Sequence, residues 1–423
     1  MIAAKGGRPV PVKEEKIRRL ALFGGTFDPI HNGHVHLALE FARRLRLDRV
    51  LLMPTYVPPH KLKENMAPAA DRLEMCRLAA QADPVLMVSD LEISRGGASF
   101  TADTLEALHG QYPDARLYLI TGADMFLTLG TWWRFEDIAA MAVLCAAPRD
   151  KSTMEELRVY ASQLEKAGAT CVIEDIPLMP LSSTDVRQRL AGGKDAGELL
   201  PAKVRAYIAQ KGLYRADGEG NAAMNRDEQF IEIIRGRLGD KRFRHSLAVA
   251  EEAERLARRY GADPAKARTA GILHDILKDA DNDALLQIFH DFGILLDSAE
   301  QHTPRVWHAH AGALFIDRVL MVDDADIVSA VRYHTTGRAG MALLDKVLFV
   351  ADMTSADRNY RDVDTMRRLA DSSLDEALEY GLRFTIRDLA EKEAPIHPDT
   401  LAAYNDLVCR RLDAAAEKAR KTV

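Results

Sequence analysis

Residues 20–34 read Leu20-Ala21-Leu22-Phe23-Gly24-Gly25-Thr26-Phe27-Asp28-Pro29-Ile30-His31-Asn32-Gly33-His34, and this stretch decides the fold of the first half of the chain. Its four leading apolar residues predict a buried strand, and the two glycines behind them allow a tight turn. Asn32 or Gly33 can begin the next helix. A strand that passes through a glycine turn into a helix is the opening unit of an α/β fold.

Short β-rich runs alternate with amphipathic helical patterns from Arg18 to about Tyr214. We predict strands over Leu20–Phe23, Val50–Met53, Val85–Val88, Leu117–Ile120 and Val143–Cys145. We predict helices over His34–Leu45, Asp71–Gln81 and Thr101–Leu108. This alternation is typical of βαβ units, so we expect a Rossmann-like α/β domain with a parallel sheet and helices on both faces.

The second half has a different pattern, because strand signals end after Asp227 and helical periodicity dominates. We predict helices over Phe230–Leu238, Phe243–Tyr260, Pro264–Leu277, Asp283–Phe292, Pro304–Val319, Leu343–Met353, Leu374–Glu391 and Asp399–Leu412. The polar, Gly-rich stretch before them is typical of a linker. We therefore expect an N-terminal extension at 1–17, an α/β domain at 18–215, a linker at 216–227 and an all-α domain at 228–423.

Charge limits the partners that either half can bind. Of the 57 Lys and Arg residues, 28 lie in residues 1–215 beside 26 acidic residues, which leaves 29 basic and 37 acidic residues in the remainder. Neither half has the basic excess that is typical of a nucleic-acid binder. Small nucleotides therefore fit better than polymers as partners.

Neither a membrane segment nor a secretory signal is expected, because the longest apolar run is the short one near Ile138 to Ala147 and residues 1–17 lack an apolar core. The four cysteines are widely scattered without a CxxC pair: Cys76, Cys145, Cys171 and Cys409. We expect buried structural thiols in a reducing cytoplasm rather than a disulfide framework. The sequence leaves a homo-oligomer open.

The glycine turn and the two histidines behind it can form a phosphate site. A helix that begins at Asn32 or Gly33 directs its unpaired N–H groups and the positive end of its dipole at the turn. His31 and His34 flank that helix start, so both imidazoles can point at one anion. The alternative is a surface turn with two solvated histidines. A glycine pair or an HxxH motif found on its own would favour that alternative. The complete eleven-residue string from Gly24 favours the phosphate site.

That string resembles the bacterial nicotinate-mononucleotide adenylyltransferases, members of the HxGH nucleotidyltransferase superfamily, and the resemblance covers about residues 18–214. Further matching segments follow in the same order and spacing: Pro58-Pro59-His60-Lys61, Asp90-Leu91-Glu92-Ile93, Ser99-Phe100-Thr101-Ala102-Asp103-Thr104-Leu105, Gly122-Ala123-Asp124, Trp132 and Leu181-Ser182-Ser183-Thr184-Asp185-Val186-Arg187. The resemblance implies that the segment from Asp90 to Leu105 is a strand and a loop that close over the pyridine ring. Phe100 stands where tyrosine is usual, which retains the ring and loses one hydroxyl.

The resemblance implies transfer of AMP from ATP to nicotinate mononucleotide, whose phosphate attacks the α-phosphorus without a protein nucleophile. Catalysis then depends on positioning and on charge stabilisation as pyrophosphate leaves. The residues expected at the triphosphate are Gly24, Gly25, Thr26, Phe27, His31, His34, Ser183, Thr184 and Arg187. The two imidazoles would donate hydrogen bonds, Arg187 would bind the β- and γ-phosphates, and Ser183 would cap a helix that begins near Thr184. Mg²⁺ would accompany ATP.

A further set of residues is expected at the mononucleotide. Asp124 follows a predicted strand and would accept ribose hydroxyls, although taken alone it is more often a helix N-cap. Trp132 offers a flat face to the pyridine ring, with a core or hinge tryptophan as the alternative. His60 and Lys61 would line the site, unless they form a solvated loop tip. Backbone N–H groups near Thr101 and Trp132 would decide between nicotinate and nicotinamide.

The helical half carries histidines and aspartates of the types that bind metals. Six candidates lie in apolar surroundings, most of them within or at the ends of predicted helices: His245, His274, Asp275, His308, His334 and Asp352. One buried histidine is more often a satisfied core residue, but so many on separate helices are hard to satisfy without a metal. The adjacent His274 and Asp275 let one turn supply an imidazole and a carboxylate. Asp275 can therefore bridge two ions.

This half resembles the HD superfamily of metal-dependent phosphohydrolases over roughly residues 228–412, and most closely its YqeK-type branch. The matching strings are Arg244-His245-Ser246-Leu247-Ala248-Val249-Ala250, Leu273-His274-Asp275-Ile276-Leu277-Lys278-Asp279, Arg332-Tyr333-His334-Thr335-Thr336-Gly337-Arg338, Phe349-Val350-Ala351-Asp352 and His397-Pro398-Asp399-Thr400. The resemblance implies symmetrical hydrolysis of diadenosine tetraphosphate to two ADP at a metal centre. Iron or manganese suits the mixed histidine and carboxylate ligands, so we expect two Fe or Mn ions. Residues 353–358 depart from the branch, which usually has an acidic residue and a proline there.

Two cationic residues complete the expected hydrolytic site. Lys278, one turn after His274, would stabilise phosphate charge, with an ordinary exposed helix lysine as the alternative. Arg338 would reach the polyphosphate chain. His310 lies two residues beyond His308, so the ligand of this pair is open. Three functional alternatives also stay open: a nucleotide sensor without turnover, a hydrolase of another phosphate ester, and a phosphopantetheine adenylyltransferase in the first half.

Overall fold

The computed structural model describes residues 16–57, 66–97, 99–148, 151–177, 179, 181–215 and 225–422. Contacts group them into two compact units, one within Met1–Thr55, Ala67–Ser94 and Phe100–Asn221, the other within Tyr56–Met66, Arg95–Ser99 and Ala222–Val423. Two short segments of the expected α/β domain thus group with the second unit. Most of the expected linker, residues 216–224, lies outside the described residues, as do residues 1–15 of the expected extension.

The first unit is built on a parallel β-sheet. Its strands are β1 (Arg19–Gly25), β2 (Arg49–Pro54), β3 (Leu86–Val88), β4 (Arg116–Gly122), β5 (Ala142–Ala147) and β6 (Thr170–Ile173). Their order is β3-β2-β1-β4-β5-β6, and every neighbouring pair is parallel. The order reverses between β1 and β4, which is where ligands bind at the carboxyl edge of such sheets. The five predicted strands are confirmed, and the unpredicted β6 is a short edge strand that is only half-buried.

Helices cover both faces of this sheet, as predicted. They are α1 (Asn32–Leu45), α2 (Ala69–Ala80), α3 (Leu91–Arg95), α4 (Thr101–Gln111), α5 (Ala123–Phe126), α6 (Phe135–Met141), α7 (Lys151–Lys166), α8 (Ser183–Ala191) and α9 (Ala202–Lys211), with a 3₁₀ turn at Leu129–Thr131. Alternate residues of β1 enter two separate cores, because Phe23 packs in one with Phe41 of α1 and Leu22 in the other with Leu105 of α4. Buried strands with helices on both faces give the Rossmann-like arrangement.

One expectation for this unit is wrong. The resemblance implied a strand from Asp90, but the chain forms helix α3 at Leu91–Arg95. The Ser89 hydroxyl accepts a hydrogen bond from the Leu91 N–H at 3.1 Å, and buried Glu92 accepts one from the Thr104 hydroxyl at 2.8 Å. A serine that caps a first turn and a side chain tied to α4 both favour the helix over a strand.

The second unit contains helices throughout its described residues from 225 onward. They are α10 (Arg226–Arg235), α11 (Asp240–Tyr260), α12 (Pro264–Leu273), α13 (Asn282–Asp291), α14 (Ser298–Gln301), α15 (Trp307–Arg318), α16 (Ala325–Tyr333), α17 (Leu343–Thr354), α18 (Val363–Ser372), α19 (Leu374–Glu391) and α20 (Pro398–Thr422), with a 3₁₀ turn at Pro304–Val306. All eight predicted helices are present. The prediction missed α14, α16 and α18, of which α16 matters because it carries His334 at its end.

Helices α11 and α12 pack with almost no side chain between them. A Cβ atom on Gly271 would lie only 2.5 Å from the Cα of Ala250. Only glycine permits this backbone approach, and it places the end of α12, which carries His274 and Asp275, directly against α11.

The cysteines only partly follow expectation. Cys76 and Cys145 are buried and Cys171 is half-buried, but Cys409 on α20 is exposed, and none of the four forms a disulfide. Burial raises the pKa of Cys76 and of Cys145, which makes both thiols unreactive. Among the described helices, none combines the length and the apolar character that a bilayer crossing requires.

Gly271→Ala is expected to destabilise the second unit by about 1–3 kcal/mol, because the added methyl group overlaps backbone that cannot move away easily. Gly110→Ala, within helix α4, is the matched control, since nothing lies within 4 Å of a Cβ there. The control should be neutral or stabilising by up to about 1 kcal/mol. Calorimetric unfolding of both variants checks this, and equal stabilities would contradict the close packing.

Candidate active sites

The first candidate site lies where the sheet order reverses. Strands β1 and β4 are neighbours and end at Gly25 and Gly122. The loop 26–31 follows β1, and α5 with Asp124 follows β4. The expected triphosphate and mononucleotide residues therefore leave the same edge of the sheet on adjacent strands, as ligand sites of α/β sheets do.

His31 and His34 form a stacked pair rather than two solvated side chains. Their ring centroids are 3.7 Å apart with an angle of 22° between planes, and His31 is only 4% exposed. The alternative of a solvated surface turn is therefore wrong. The His31 backbone N–H donates to Nδ1 of His34 at 3.2 Å. A neutral His34 that accepts at Nδ1 carries its hydrogen on Nε2, so its free edge is a donor.

Burial keeps both imidazoles neutral. It lowers the pKa of His31 from 6.5 to about 4, against a smaller opposing effect of Asp185. It also lowers the pKa of His34 well below its usual value, and the neighbouring His31 adds to this. Desolvation disfavours the charged form of histidine, so both rings can donate hydrogen bonds near pH 7 without bringing a positive charge.

Two glycines of the turn lie close to aromatic rings, so an added methyl group at either would press against a ring. A Cβ at Gly33 would lie 3.1 Å from Nδ1 of His31, and a Cβ at Gly25 would lie 3.2 Å from the ring of Phe27. Phe27 itself has a left-handed φ of 48° and packs edge-on against His34 at 5.1 Å. Within the part of the chain that the structure describes, nothing lies within 4 Å of a Cβ placed on Gly24.

Buried polar contacts hold loop 26–31 in place, and the sequence did not reveal most of them. Asp28 is 1% exposed and accepts hydrogen bonds from the Ala67 N–H at 3.1 Å and from the Tyr214 hydroxyl at 2.7 Å. Arg72 is fully buried and donates to the Thr26 carbonyl at 2.9 Å. These partners lie 39 to 186 residues from Asp28 in sequence, so no local pattern could indicate them.

Helix α8 begins one residue earlier than expected. Ser182, not Ser183, is the N-cap: its hydroxyl accepts from the Asp185 N–H at 3.1 Å, and the Asp185 carboxylate accepts from the Ser182 N–H at 3.1 Å. Ser183 is the first helical residue, and its hydroxyl donates to the Pro29 carbonyl at 3.0 Å. Because Asp185 lies three residues after Ser182, the two residues cap each other reciprocally. The prediction of Ser183 as the cap did not take Asp185 into account.

Arg187 extends from α8 to the β1 loop. Its guanidinium donates to the Asp28 carbonyl at 2.6 Å and to the Thr184 hydroxyl at 3.2 Å, and one nitrogen lies 3.5 Å from the Asp28 carboxylate. Its side chain is 22% exposed. Arg187 is thus anchored beside loop 26–31, and part of its guanidinium group still faces solvent.

The residues expected to bind the mononucleotide lie at or near the ends of helices and turns in the first unit. Asp124 is exposed in the first turn of α5, whose N-cap is Gly122, so the helix-cap alternative for Asp124 is wrong. Trp132 is half-buried, packs against the core beneath it and donates from its indole to Thr128 at 3.2 Å. Thr101 is the first residue of α4. His60 and Lys61 lie outside the described residues.

Arg134 connects the segment that carries Trp132 to helix α4, a role that was not predicted from the sequence. It donates to Asp103 at 3.2 Å and to Glu106 at 3.3 Å on α4, and to Asp137 at 2.5 Å on its own side. The segment that carries Trp132 is thereby tied to the helix that begins at Thr101.

The second candidate site brings together all six expected metal ligands. Each side chain comes from a different helix or helix end, apart from the adjacent pair His274 and Asp275. The Asp275 carboxylate is central: its Oδ2 lies 3.4 Å from His274 Nε2, and its Oδ1 lies 3.2 Å from His308 Nε2 and 3.6 Å from His334 Nε2. One carboxylate thus faces imidazoles with both oxygens.

The ring nitrogens are oriented for coordination. Nδ1 of His274 donates to the Gly271 carbonyl at 2.7 Å, and Nδ1 of His334 donates to the Val331 carbonyl at 2.8 Å. Each Nε2 therefore presents a lone pair to the cluster, a tautomer assigned from these contacts. Nε2 of His274 is buried and makes no hydrogen bond within the described part of the chain. An orphaned imidazole nitrogen among carboxylates is a donor set that fits a divalent ion.

Two overlapping groups of ligand atoms converge closely enough to hold ions. One comprises His245, His274 and Asp352, the other His274, Asp275 and His334, and the ligand atoms within each group lie within 4.8 Å of one another. The two groups share His274, whereas Asp275 belongs only to the second; its Oδ2 lies 4.0 Å from Nε2 of His245 in the first.

Cations compensate the buried carboxylates of this cluster. Arg242 donates to the Asp275 carboxylate at 2.8 Å. Arg358 donates to the Asp352 carboxylate and, at 2.7 Å, to its carbonyl.

Lys278 is half-buried and not an exposed helix lysine. Its Nζ lies 3.1 Å from Nε2 of His308, and burial lowers its pKa despite the opposing effect of Asp275. Arg338 instead donates to buried Asp345 at 3.1 Å and to Ser329 at 3.3 Å. Its contacts among the described residues are therefore with its own helical surroundings.

Of His308 and His310, it is His308 that faces the cluster of expected metal ligands. Its ring is 3% exposed and faces Asp275, whereas Nδ1 of His310 lies 3.3 Å from Glu300, beside Arg332. Residues two apart on a helix point in nearly opposite directions, so only one of this pair can enter the cluster.

Three contributors were missed by the sequence reading. Asp357 accepts from Nδ1 of His245 at 2.8 Å and so orients a ligand whose Nε2 lies 3.0 Å from Asp352. Arg358 and Arg242 pair with the two central carboxylates. Asp357 and Arg358 lie in residues 353–358, where the sequence departs from the YqeK-type pattern. An acidic residue five positions after Asp352 was the signal that could have indicated Asp357.

Comparison with known proteins separates the two halves. The cytidylyltransferase-like family model matches residues 22–189, and the HD domain model matches residues 242–357. A probable nicotinate-nucleotide adenylyltransferase of Desulfitobacterium hafniense (strain Y51) is 40% identical over 200 residues, which cover 47% of this chain and 96% of that protein. One of Clostridium tetani is 35% identical over 200 residues and is covered completely.

Among solved structures, a predicted HD superfamily hydrolase involved in NAD metabolism from Clostridium acetobutylicum is similar to 43% of this chain and 97% of that chain. Its sequence identity is 34% and its TM-score is 0.43.

Neither imidazole of the stacked pair should titrate between about pH 8 and pH 5.5, unlike an ordinary histidine. Because the unfolded His31 takes up a proton at higher pH than the folded one, the stability it contributes above pH 6.5 is lost as pH falls toward 4. NMR titration of the imidazole nitrogens checks this, with a histidine in an unstructured peptide as the reference. A midpoint near 6.5 for His31 would contradict the burial.

Proposed function

This chain belongs, through its first half, to the nicotinate-nucleotide adenylyltransferase family, and we propose that it transfers AMP from ATP to nicotinate mononucleotide. The products are nicotinate adenine dinucleotide and pyrophosphate. The observation that carries this proposal is the neutral, stacked pair His31 and His34 at the start of α1, above the reversal point of the sheet. The names of the relatives, all probable nicotinate-nucleotide adenylyltransferases, support the choice of substrate.

The histidine pair and the helix start bind the triphosphate without supplying a base. The mononucleotide phosphate is itself the nucleophile, so the protein must align it and stabilise charge on the leaving pyrophosphate. His34 presents an Nε2–H donor, and Arg187 adds a permanent cation. The N–H groups of Asn32 and His34 at the start of α1 already donate to the Leu199 and His31 carbonyls, each at 2.9 Å. Mg²⁺ carried by ATP neutralises phosphate charge when it is bound.

The second substrate binds along the ends of β4 and α4 in this proposal. Asp124 is exposed at the carboxyl edge of the sheet and accepts the ribose hydroxyls. Trp132 stacks on the pyridine ring, and the N–H groups at the start of α4 near Thr101 meet the nicotinate carboxylate. Arg134 keeps these two elements together through Asp103 and Glu106.

We further propose that the HD domain is a metal-dependent phosphohydrolase acting on diadenosine tetraphosphate, which it cleaves to two ADP. His245, His274 and Asp352 would hold one ion, and His308 and His334 the other, with Asp275 between them. Such a pair of Fe or Mn ions supplies an activated water and a clamp on phosphate oxygens. Asp357 orients His245, and Lys278, Arg242 and Arg358 bring positive charge to where a polyphosphate would lie.

One incubation series on the full chain tests both activities. ATP is offered with nicotinate mononucleotide, nicotinamide mononucleotide or phosphopantetheine, and products are separated by chromatography. Diadenosine tetraphosphate and a nucleoside 5′-monophosphate are then offered with Mn²⁺ or Fe²⁺. Preferential formation of nicotinate adenine dinucleotide and of ADP is the expected result. A phosphopantetheine product would overturn the first proposal, and binding without ADP release would make the HD domain a sensor.

His34→Ala should lower kcat for dinucleotide synthesis roughly 100-fold or more, because it removes a preorganised donor at the developing charge. His36→Ala is the matched control on the same helix, since His36 contacts the Pro177 carbonyl at 2.9 Å and not the histidine pair. Initial-rate measurements on both variants check this. The circular dichroism spectrum of each variant should match that of wild type, which shows that the chain is folded; equal synthesis rates in the two variants would contradict the role of His34.

His274→Ala and Asp275→Asn should each abolish diadenosine tetraphosphate hydrolysis and reduce bound Mn²⁺, because both residues contribute to the shared turn of the cluster. His290→Ala, an exposed histidine of α13, is the control. Metal content by mass spectrometry and ADP release are measured together. Unchanged metal content in His274→Ala would contradict the proposed ligand set, while dinucleotide synthesis should persist in all three variants.

A further inference from the structure

We propose that Tyr214 is a positioning residue for adenylyl transfer: its hydroxyl group orients the Asp28 carboxylate, and Asp28 in turn sets the position of Arg187 at the triphosphate. This inference rests on the adenylyl transfer proposed above. Tyr214 lies beyond α9, near the end of the first unit, and contacts no substrate in this assignment. Its effect would be exerted through Asp28 alone.

Tyr214 is fixed in a conformation that directs its hydroxyl inward. The residue is 5% exposed, and its φ of 64° lies in the left-handed region, which non-glycine residues rarely adopt. The hydroxyl donates to Oδ1 of Asp28 at 2.7 Å. Burial and the nearby Asp28 carboxylate raise the pKa of Tyr214 well above its usual value, so the hydroxyl keeps its proton and remains a donor.

The two oxygens of Asp28 have different partners. Oδ1 accepts from the Tyr214 hydroxyl and from the Ala67 N–H at 3.1 Å, whereas Oδ2 lies 3.5 Å from Arg187. A carboxylate that is 1% exposed must satisfy its charge within the protein. Because two donors already satisfy Oδ1, the Asp28 carboxylate does not require a close ion pair with Arg187. The Arg187 guanidinium therefore stays 3.5 Å from Oδ2.

Arg187 is therefore held by its backbone contact instead of by the carboxylate. Its strong contact is with the Asp28 carbonyl at 2.6 Å, and the Thr184 hydroxyl supports the other nitrogen at 3.2 Å. If Oδ1 lost the Tyr214 donor, the carboxylate would gain most by turning toward the guanidinium. A tighter Asp28–Arg187 pair would withdraw the cation from the β- and γ-phosphates.

Residues on both sides of Asp28 have anchors of their own, although Arg72 also interacts electrostatically with Asp28. Fully buried Arg72 donates to the Thr26 carbonyl, and the Ser183 hydroxyl donates to the Pro29 carbonyl at 3.0 Å. Asn32 is anchored through its N–H to the Leu199 carbonyl at 2.9 Å. Loss of the Tyr214 hydroxyl should therefore leave His31 and the start of α1 in place and act on Arg187 selectively.

A purely structural role for Tyr214 is the competing interpretation, since its ring packs in the core that contains Phe23 and Phe41. Tyr214→Phe separates the two, because it keeps the ring and removes only the hydroxyl. Tyr207→Phe is a matched control: the Tyr207 hydroxyl of helix α9 donates to Asp71 at 2.7 Å and not to Asp28. Both variants lose one tyrosine–aspartate hydrogen bond from the same region of the chain.

The experiment measures steady-state synthesis by the full chain, with ATP and nicotinate mononucleotide varied separately. Tyr214→Phe is expected to raise KM for ATP and lower kcat, with a combined loss of roughly tenfold in kcat/KM for ATP. KM for nicotinate mononucleotide should stay within about twofold of wild type, because Arg187 is assigned to the leaving group. Tyr207→Phe should match wild type in all three constants.

A double-variant cycle tests the route through Arg187. In an Arg187→Ala background, Tyr214→Phe should cause no further loss, because the group it positions is gone. Additive losses would overturn the proposal, as would equal kinetics of Tyr214→Phe and Tyr207→Phe in an active enzyme. Absence of synthesis by the wild-type chain is a different result, since it refutes the adenylyltransferase assignment itself. Equal increases in both KM values would indicate general destabilisation and also overturn the positioning role.

Discussion

A carboxylate removed from water must be surrounded by donors, and each unit of this chain has an almost completely buried carboxylate at its candidate site. Asp28 is 1% exposed and Asp275 is 3% exposed. An unpaired charge in such a position would cost several kcal/mol, so the surrounding helices must deliver partners to both oxygens. In each unit the partners come from elements that are distant in sequence. Satisfying one carboxylate therefore draws several elements together.

The two carboxylates are satisfied in chemically different ways. Asp28 receives neutral donors at one oxygen and faces Arg187 with the other, which leaves a cation beside the histidine loop. Asp275 faces imidazole nitrogens with both oxygens, while Arg242 donates to it from α11. Imidazoles whose Nδ1 already donates to a carbonyl can offer only Nε2 lone pairs to such a centre. The first arrangement suits an anionic ligand, and the second suits divalent cations.

Local sequence patterns predicted the elements well, because their causes are local. The run from Leu20 to His34 contains its own strand, turn and helix start, and the structure confirms each of them. The exceptions have local causes that were overlooked. A reciprocal cap of Ser182 and Asp185 moves the start of α8, and a serine at position 89 favours helix α3 over a strand. The unpredicted helix α16 begins at an Asp324 cap that resembles ordinary loop sequence.

The partners of a site residue were predictable only where a family pattern recorded them. All six expected ligands of the HD cluster converge, yet Asp357, Arg358 and Arg242 were not foreseen, and neither was Tyr214 beside Asp28. The reason is physical. A ligand must have a particular chemistry, which restricts its residue type, whereas a second-layer donor needs only to reach the right atom. A hydroxyl 186 residues away serves Asp28 as well as a backbone N–H does. Such residues leave no pattern in the sequence, and only the three-dimensional packing identifies them.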